Sequence, residues 1–293
     1  VSEKRFGFGA NWQRFARSVT PRQIEAAEAS LRAAFGVPSL SGKRLLDVGS
    51  GSGLFSLAAS RLGADVHSFD YDPQSVQCAE SLRARHPTGG AWTIEQGDAL
   101  DPSYLAGLGS FDIVYSWGVL HHTGSMWQAL GNVCAPLAEG GLLYLALYRT
   151  KGWRTNLWTA VKKTYVSSPV GKAAVLGTLI PGMVAYGAAA DMLTRPRHVP
   201  WRRYVDYYRE RGMNPVWDWI DWLGGYPYET VSAREVAEFY AARGLSLYGC
   251  RLVESSMGNH EFLLTADPDS HHADRQTAWE GWRPSHSEDL PPG

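Results

Sequence analysis

Cysteine is scarce in this chain: Cys78, Cys134 and Cys250 are the only three in 293 residues, far apart and in apolar or helical settings. Neither a disulfide framework nor a zinc spacing can be built from them, so no metal is expected and a reducing cytoplasm is the expected compartment. An excess of positive charge is missing as well. The 28 Lys and Arg face 29 Asp and Glu, a formal net charge of −1, which leaves no broad basic footprint for DNA or RNA. The opening "VSEKRFGFGANWQRF" is too polar for a secretory leader. There is no internal repeat, and one long stretch lacks charge altogether: "AAVLGTLIPGMVAYGAAA", Ala173 to Ala190. It approaches the length of a membrane span. Pro181-Gly182 divides it, and Ala and Gly make it only mildly apolar, so the expectation is a broken apolar hairpin inside a soluble cap, with membrane contact through that hairpin left open.

What the sequence does contain is a sharply marked turn. In "LLDVGSGSGLF", Leu45 to Phe55, an aliphatic run without polar alternation reads as a buried parallel strand. The following "FSLAASRLG" has apolar residues at helical spacing and ends in Gly63. Three glycines therefore occupy a strand-to-helix turn, where positive φ and close approach of a ligand to backbone are both available. A nicotinamide fingerprint, G-x-G-x-x-G, would need glycine where Leu54 stands, and the third glycine falls early, at Gly53. Further strands follow in order: "ADVHSFDYDP" ending at Asp70, "WTIEQGDAL" leading into Asp98, "FDIVYSW" ending before "GVLHHTGSM", and "GGLLYLALY".

The run Asp47-Val48-Gly49-Ser50-Gly51-Ser52-Gly53 resembles the first motif of class I S-adenosylmethionine (SAM)-dependent methyltransferases, and the later strand ends fit that resemblance in order. It implies an α/β, Rossmann-like fold, a seven-stranded mostly parallel sheet with helices on both faces. It also implies SAM as cofactor and S-adenosylhomocysteine as product. Asp47 would face the sulfonium and amino group, with Gly49, Gly51 and Gly53 giving backbone access. Asp70 would accept both ribose hydroxyls and Tyr71 would pack on adenine. Asp98 and the N–H of Ala99 would read the adenine edge, with Ser116 and Trp117 at the fourth strand's end beside the cofactor. The strand end lacks the Asn/Asp-Pro-Pro-aromatic signature of base-amino methyltransferases, which again argues against nucleobases.

Residues 1–38 are expected to form an N-terminal helical cap and 39–148 the cofactor-binding core. A helical, aromatic-rich lid is expected over 149–229, the closing helix and strands of the core over 230–267, and a mobile polar tail over 268–293, its His271-His272 pair solvated. Trp153, Trp201, Trp217 and Trp222 are the aromatic candidates for an acceptor site, and Arg202, within "RPRHVPWRR", is the candidate for an anionic group on the acceptor. A hydroxyl acceptor needs a base, and "LHHTGSM" supplies His121 and His122, with His121 slightly favoured as the reaching residue. The double His also resembles sugar O-methyltransferases of natural-product pathways and relatives of quinone-biosynthesis enzymes. "FGFGANWQRFA" resembles a segment that folds over the cofactor, making Asn11 and Trp12 lid residues. "WDWIDWLGGYPYE" offers Asp218, Asp221 and Glu229 as site acids. The expected activity is methyl transfer to a small-molecule hydroxyl. Carbon or nitrogen methylation is the alternative in chemistry, and a nicotinamide oxidoreductase or a non-catalytic SAM binder is the alternative in class. Oligomeric state is not written in the sequence.

Overall fold

The computed structural model describes residues 6–9, 12, 15–16, 18–194, 215–252 and 258–267. Asn11, Trp201, Arg202 and the 268–293 tail lie outside them, as do the side chains of Trp217, Asp218 and Asp221.

The first helix, α1 (Pro21–Phe35), begins where Thr20 and Gln23 cap one another reciprocally, and ends where Gly36 turns left-handed. Its buried residues Ile24, Ala27, Leu31 and Phe35 form one stripe. From there strands and helices alternate: β1 (Arg44–Val48), α2 (Leu54–Arg61), β2 (Asp65–Asp70), α3 (Pro73–Arg85), β3 (Trp92–Gln96), α4 (Pro102–Gly107), β4 (Phe111–Trp117), α5 (Met126–Asn132) and β5 (Leu137–Tyr148). An insertion carries α6 (Trp153–Ser167), α7 (Pro169–Thr194) and α8 (Pro215–Gly224). The chain closes with α9 (Ala233–Ala241), β6 (Ser246–Arg251) and β7 (Asn259–Thr265).

The sheet order is β3-β2-β1-β4-β5-β7-β6. β1 to β5 run parallel, while β7 pairs antiparallel with both β5 and β6. The apolar run of β1 is explained by two covered faces. Leu46 and Val48 join a core with Val114, Leu143 and Tyr240, whereas Leu45 joins the opposite core with Leu57, Ile113 and α1. Succession moves outward from β1 to β3 and then returns to β4 on β1's other side, so a crevice opens at the carboxyl ends of β1 and β4.

The insertion departs from expectation in one respect. The charge-free stretch does not break at Pro181: α7 runs continuously from Pro169 to Thr194, and the reversal into a hairpin occurs earlier, at extended Ser168. A proline deletes one donor, and a helix of 26 residues keeps its remaining ladder on either side. Tyr165 of α6, Val175 of α7 and Leu223 of α8 form a third core, with Trp158, Val161, Leu176, Leu179 and Ile180 packed against it.

Candidate active site

At the β1/β4 crevice lies a cavity of about 960 Å³. Its floor is the glycine turn, and each glycine has its own reason. Gly49 has φ +79°, and a Cβ there would sit 2.3 Å from Val119 Cγ1, so β1's end and β4's end touch at this point. Gly51 has φ +54°, and its added Cβ would fall 3.1 Å from the Trp12 ring. Gly53 abuts Ala79 of α3, where a Cβ would approach to 2.8 Å. One glycine thus lets two strand ends meet, one lets an aromatic ring close over the turn, and one lets two helices pack.

Acids surround the turn. Asp70, at the end of β2, accepts from Gly51 N (2.9 Å) and from Asp72 N (2.9 Å), and burial raises its pKa. Asp47 is buried and accepts from Ser56 Oγ at 2.5 Å; burial pushes its carboxyl up to about 7, against the Ser56 bond that lowers it. Asp98 Oδ1 accepts from Leu100 N (2.9 Å), which fixes the bend after β3, and Ala99 beside it is buried. Asp47, Asp70, Tyr71, Asp98, Ala99 and Trp117 all line the cavity. Ser116 does not reach it: its buried hydroxyl donates to Val48 O (3.0 Å) and ties β4 to β1.

The two histidines lie in a 3-10 turn, Leu120–His122, with ring centroids 4.4 Å apart and both rings beside Tyr148, yet their surroundings differ. His121 is wholly buried. Tyr148 N donates to its Nδ1 (3.4 Å), its ring sits 4.0 Å from the Tyr148 ring, and its Nε2 has no hydrogen-bond partner. His122 keeps accessible surface and lines the cavity. This corrects the expectation that His121 is the reaching residue. His122 Nδ1 lies 2.6 Å from Pro227 O, and since a carbonyl only accepts, Nδ1 carries the proton and Nε2 keeps its lone pair. Burial pushes the imidazole down to about 3, so it is neutral at physiological pH.

Of the other expected acids and aromatics, those whose side chains are described fall elsewhere. Glu229 Oε2 accepts from Met126 N (3.0 Å) and so caps α5, while Glu229 N donates to His121 O (3.0 Å). Trp153 is 70% exposed, and Trp222 packs against Trp158, with ring centroids 4.4 Å apart. Neither lines the cavity, and among the described residues Tyr226 is the sole contribution of segment 149–229 to its wall. Among the described residues the cover comes from the chain's beginning, where Trp12 was expected as a lid residue. Phe8 and Trp12 line the cavity, Gly9 N donates to Asp72 Oδ2 (2.9 Å), and Phe8 stands 5.2 Å from the His122 ring. Phe8, Val119 and Tyr226 were not among the sequence candidates; the aromatic-glycine alternation "FGFG" and the "GGYPY" turn were the available signals.

Behind the histidines is an unexpected group. Lys162 of α6 is fully buried, donates to Trp222 O, and has its Nζ 4.6 Å from the Trp222 ring and 4.9 Å from the Tyr228 ring. Burial brings its pKa down to about 7. No cluster of three or more His, Cys, Asp or Glu suited to a metal occurs among the described residues.

The donor set fits SAM rather than a dinucleotide. An acid at the end of β2 suits a ribose diol, buried Asp47 stands where a phosphate would be repelled, and Trp12 rather than an anion-binding cradle closes the turn.

Comparison with known proteins agrees. Residues 46–145 match a family model described as a methyltransferase domain. The ubiquinone biosynthesis O-methyltransferase of Caulobacter sp. (strain K31) is 34% identical over 106 residues, covering 36% of this chain and 40% of that protein. The enzyme of the same name from Parvibaculum lavamentivorans is 30% identical over 140 residues, covering 47% and 49%. The chain thus spans half or less of these relatives' length. Among solved structures, PKMT2 from Rickettsia typhi in complex with AdoHcy superposes with a TM-score of 0.52 at 12% identity, covering 85% of this chain and 53% of that one. That is a likeness of fold.

Proposed function

We propose that the chain, whose residues 46–145 match a methyltransferase domain, is a SAM-dependent methyltransferase acting on a hydroxyl of a small, hydrophobic acceptor. The observation that carries this reading is that one cavity joins the Asp70-held glycine turn to a neutral His122 whose protonated Nδ1 is fixed on Pro227 O.

When bound, SAM supplies an electrophilic methyl carbon, and the protein's work is alignment and proton removal. Asp70 holds the turn through Gly51 N–H and has lone pairs left for the ribose hydroxyls. Tyr71, 56% exposed, offers a ring face to the adenine. Trp12 and Phe8 exclude water from above. His122 Nε2 takes the acceptor's hydroxyl proton as the oxygen attacks. The imidazolium that results is disfavoured by the same burial that keeps the resting ring neutral, so Nε2 gives the proton to water entering the cavity as the products leave.

The O-methyltransferase names of the partial relatives support oxygen as the acceptor atom and a quinone-like ring as its setting. An anionic group on the acceptor and a natural-product pathway belong to the same proposal, as does a cytoplasmic location. Titration calorimetry with SAM, S-adenosylhomocysteine and NAD tests the cofactor: binding of NAD alone would overturn the reading. Mass spectrometry of the product from a phenolic acceptor then separates oxygen from carbon or nitrogen methylation.

A further inference from the structure

The helix α7 poses a problem that the active site does not solve. Between Lys172 and Asp191 it has no charged residue, and its apolar residues fall on every side, with no polar stripe to face water. A helix of that composition is ordinarily buried on all sides, in a core or in lipid. Here 11% of its most apolar window is buried. Val175, Leu176, Leu179 and Ile180 cover one side against α6 and α8. Gly187 and Asp191 are buried as well, but much of the remaining surface is open: Val170 is 78% exposed, Tyr186 75%, Met192 68% and Leu193 84%, and added Cβ atoms at Gly177 and Gly182 would meet nothing within 4 Å.

Its 26 residues extend about 39 Å at 1.5 Å per residue, enough for a hydrocarbon core of about 30 Å. Sheet topology nevertheless forbids a crossing. β5 precedes the insertion and β7 follows it, and the two pair in register from Leu142↔Thr265 to Tyr148↔Asn259. Both ends of the insertion therefore lie on the same side of any membrane, and a crossing by α7 would require a second one to return. The segment between Thr194 and Pro215, with six Arg besides Asp206 and Glu210, is too charged to make it. Cations flank the apolar stretch at both ends: Lys163 and Lys172 before it, and Arg195 and Arg197 after it, beyond a single acid at Asp191. A crossing helix would bring its two ends to opposite faces; a helix lying in the interface brings both to one layer of headgroups.

We propose that α7 docks this chain on an anionic lipid surface, lying in the plane of the interface with Tyr186, Met192 and Leu193 in the acyl layer. The proposal stands apart from methyl transfer, because it rests on α7 and the sheet alone.

The test is co-sedimentation of the full chain with vesicles of phosphatidylcholine and with vesicles of phosphatidylcholine mixed with phosphatidylglycerol. The chain should pellet with the mixed vesicles, and more weakly with the neutral ones. Met192→Glu/Leu193→Glu should reduce partition about tenfold or more, since carboxylates in the acyl layer are strongly disfavoured; Tyr186→Glu is a second, independent variant. Unchanged circular dichroism establishes that the variants fold, and S-adenosylhomocysteine titration reads the active site separately. A wild-type chain left in the supernatant with both vesicle types overturns the proposal, as does undiminished pelleting of the folded variants. So does a lipid-free dimer, seen by light scattering, that Met192→Glu/Leu193→Glu dissociates, since the apolar face would then belong to a second copy.

Discussion

Replacing Gly49 by alanine should destabilise the protein for two separable reasons. The backbone there has φ +79°, and a left-handed placement costs a residue with a Cβ about 1–2 kcal/mol. The new methyl would also sit 2.3 Å from Val119 Cγ1 and 2.7 Å from Cγ2, inside van der Waals contact, and relieving such overpacking costs about 1–3 kcal/mol. The sum is about 2–5 kcal/mol. Gly42→Ala is the control, because Gly42 has φ +76° and nothing within 4 Å of an added Cβ, so it should lose only the first part. Urea unfolding followed by tryptophan fluorescence measures both. Val119→Ala placed with Gly49→Ala removes the two clashing methyls, and the double mutant should recover about 1–2 kcal/mol relative to additivity. Equal losses for Gly49→Ala and Gly42→Ala, or strict additivity with Val119→Ala, would refute the claim that β1 and β4 meet through that glycine.

Asp70→Asn should weaken S-adenosylhomocysteine binding roughly ten- to a hundredfold, the value of one or two charge-assisted hydrogen bonds, and calorimetry on the folded variant checks it. His122→Gln should lower single-turnover methylation about a hundred- to ten-thousandfold at nearly unchanged cofactor affinity; equal rates for wild type and variant would rule out His122 as the base. With the His122 imidazole down at about 3, kcat/KM should show no acid limb near pH 6–7 that disappears in His122→Gln. Burial lowers Lys162 from the ordinary 10.5 of a lysine to about 7 in the folded protein, so between those pH values the unfolded chain holds the extra proton and stability should rise with pH. Lys162→Met should flatten that rise in urea midpoints measured from pH 7 to 10.

The cofactor end of the site was legible in the sequence because its signals are local. A strand end, three glycines and an acid at the next strand end determine their own geometry, and Asp47, Gly51, Asp70 and Tyr71 all reach the cavity. What sequence did not disclose depends on rotation or on distant partners. His121 and His122 differ by one step of a 3-10 turn, and only the fold says that Tyr148 takes one ring into the interior while Pro227 holds the other at the cavity. Ser116 stands between cavity-lining Tyr115 and Trp117, yet strand alternation turns it onto Val48. Trp153 and Trp222 share the composition of an aromatic pocket, but one is exposed and the other packs on α6. Trp12 lines the cavity where it was expected as a lid residue, but Phe8 beside it, in the same segment, was not singled out.

The return of the insertion into the core, from Tyr226 to Glu229, works as a coupling rod. Pro227 grips the ring of His122, Glu229 grips both the backbone of His121 and the start of α5, and Leu223, four residues before Pro227, is packed against α6 and α7. Only Gly224, Gly225 and Tyr226 separate Leu223 from Pro227, so the helical hairpin and the histidine turn are joined by a short link. The helical hairpin is thus tied through Pro227 to His122, and on the proposed role of that ring as base, whatever seats the hairpin also bears on the angle at which His122 faces the cavity.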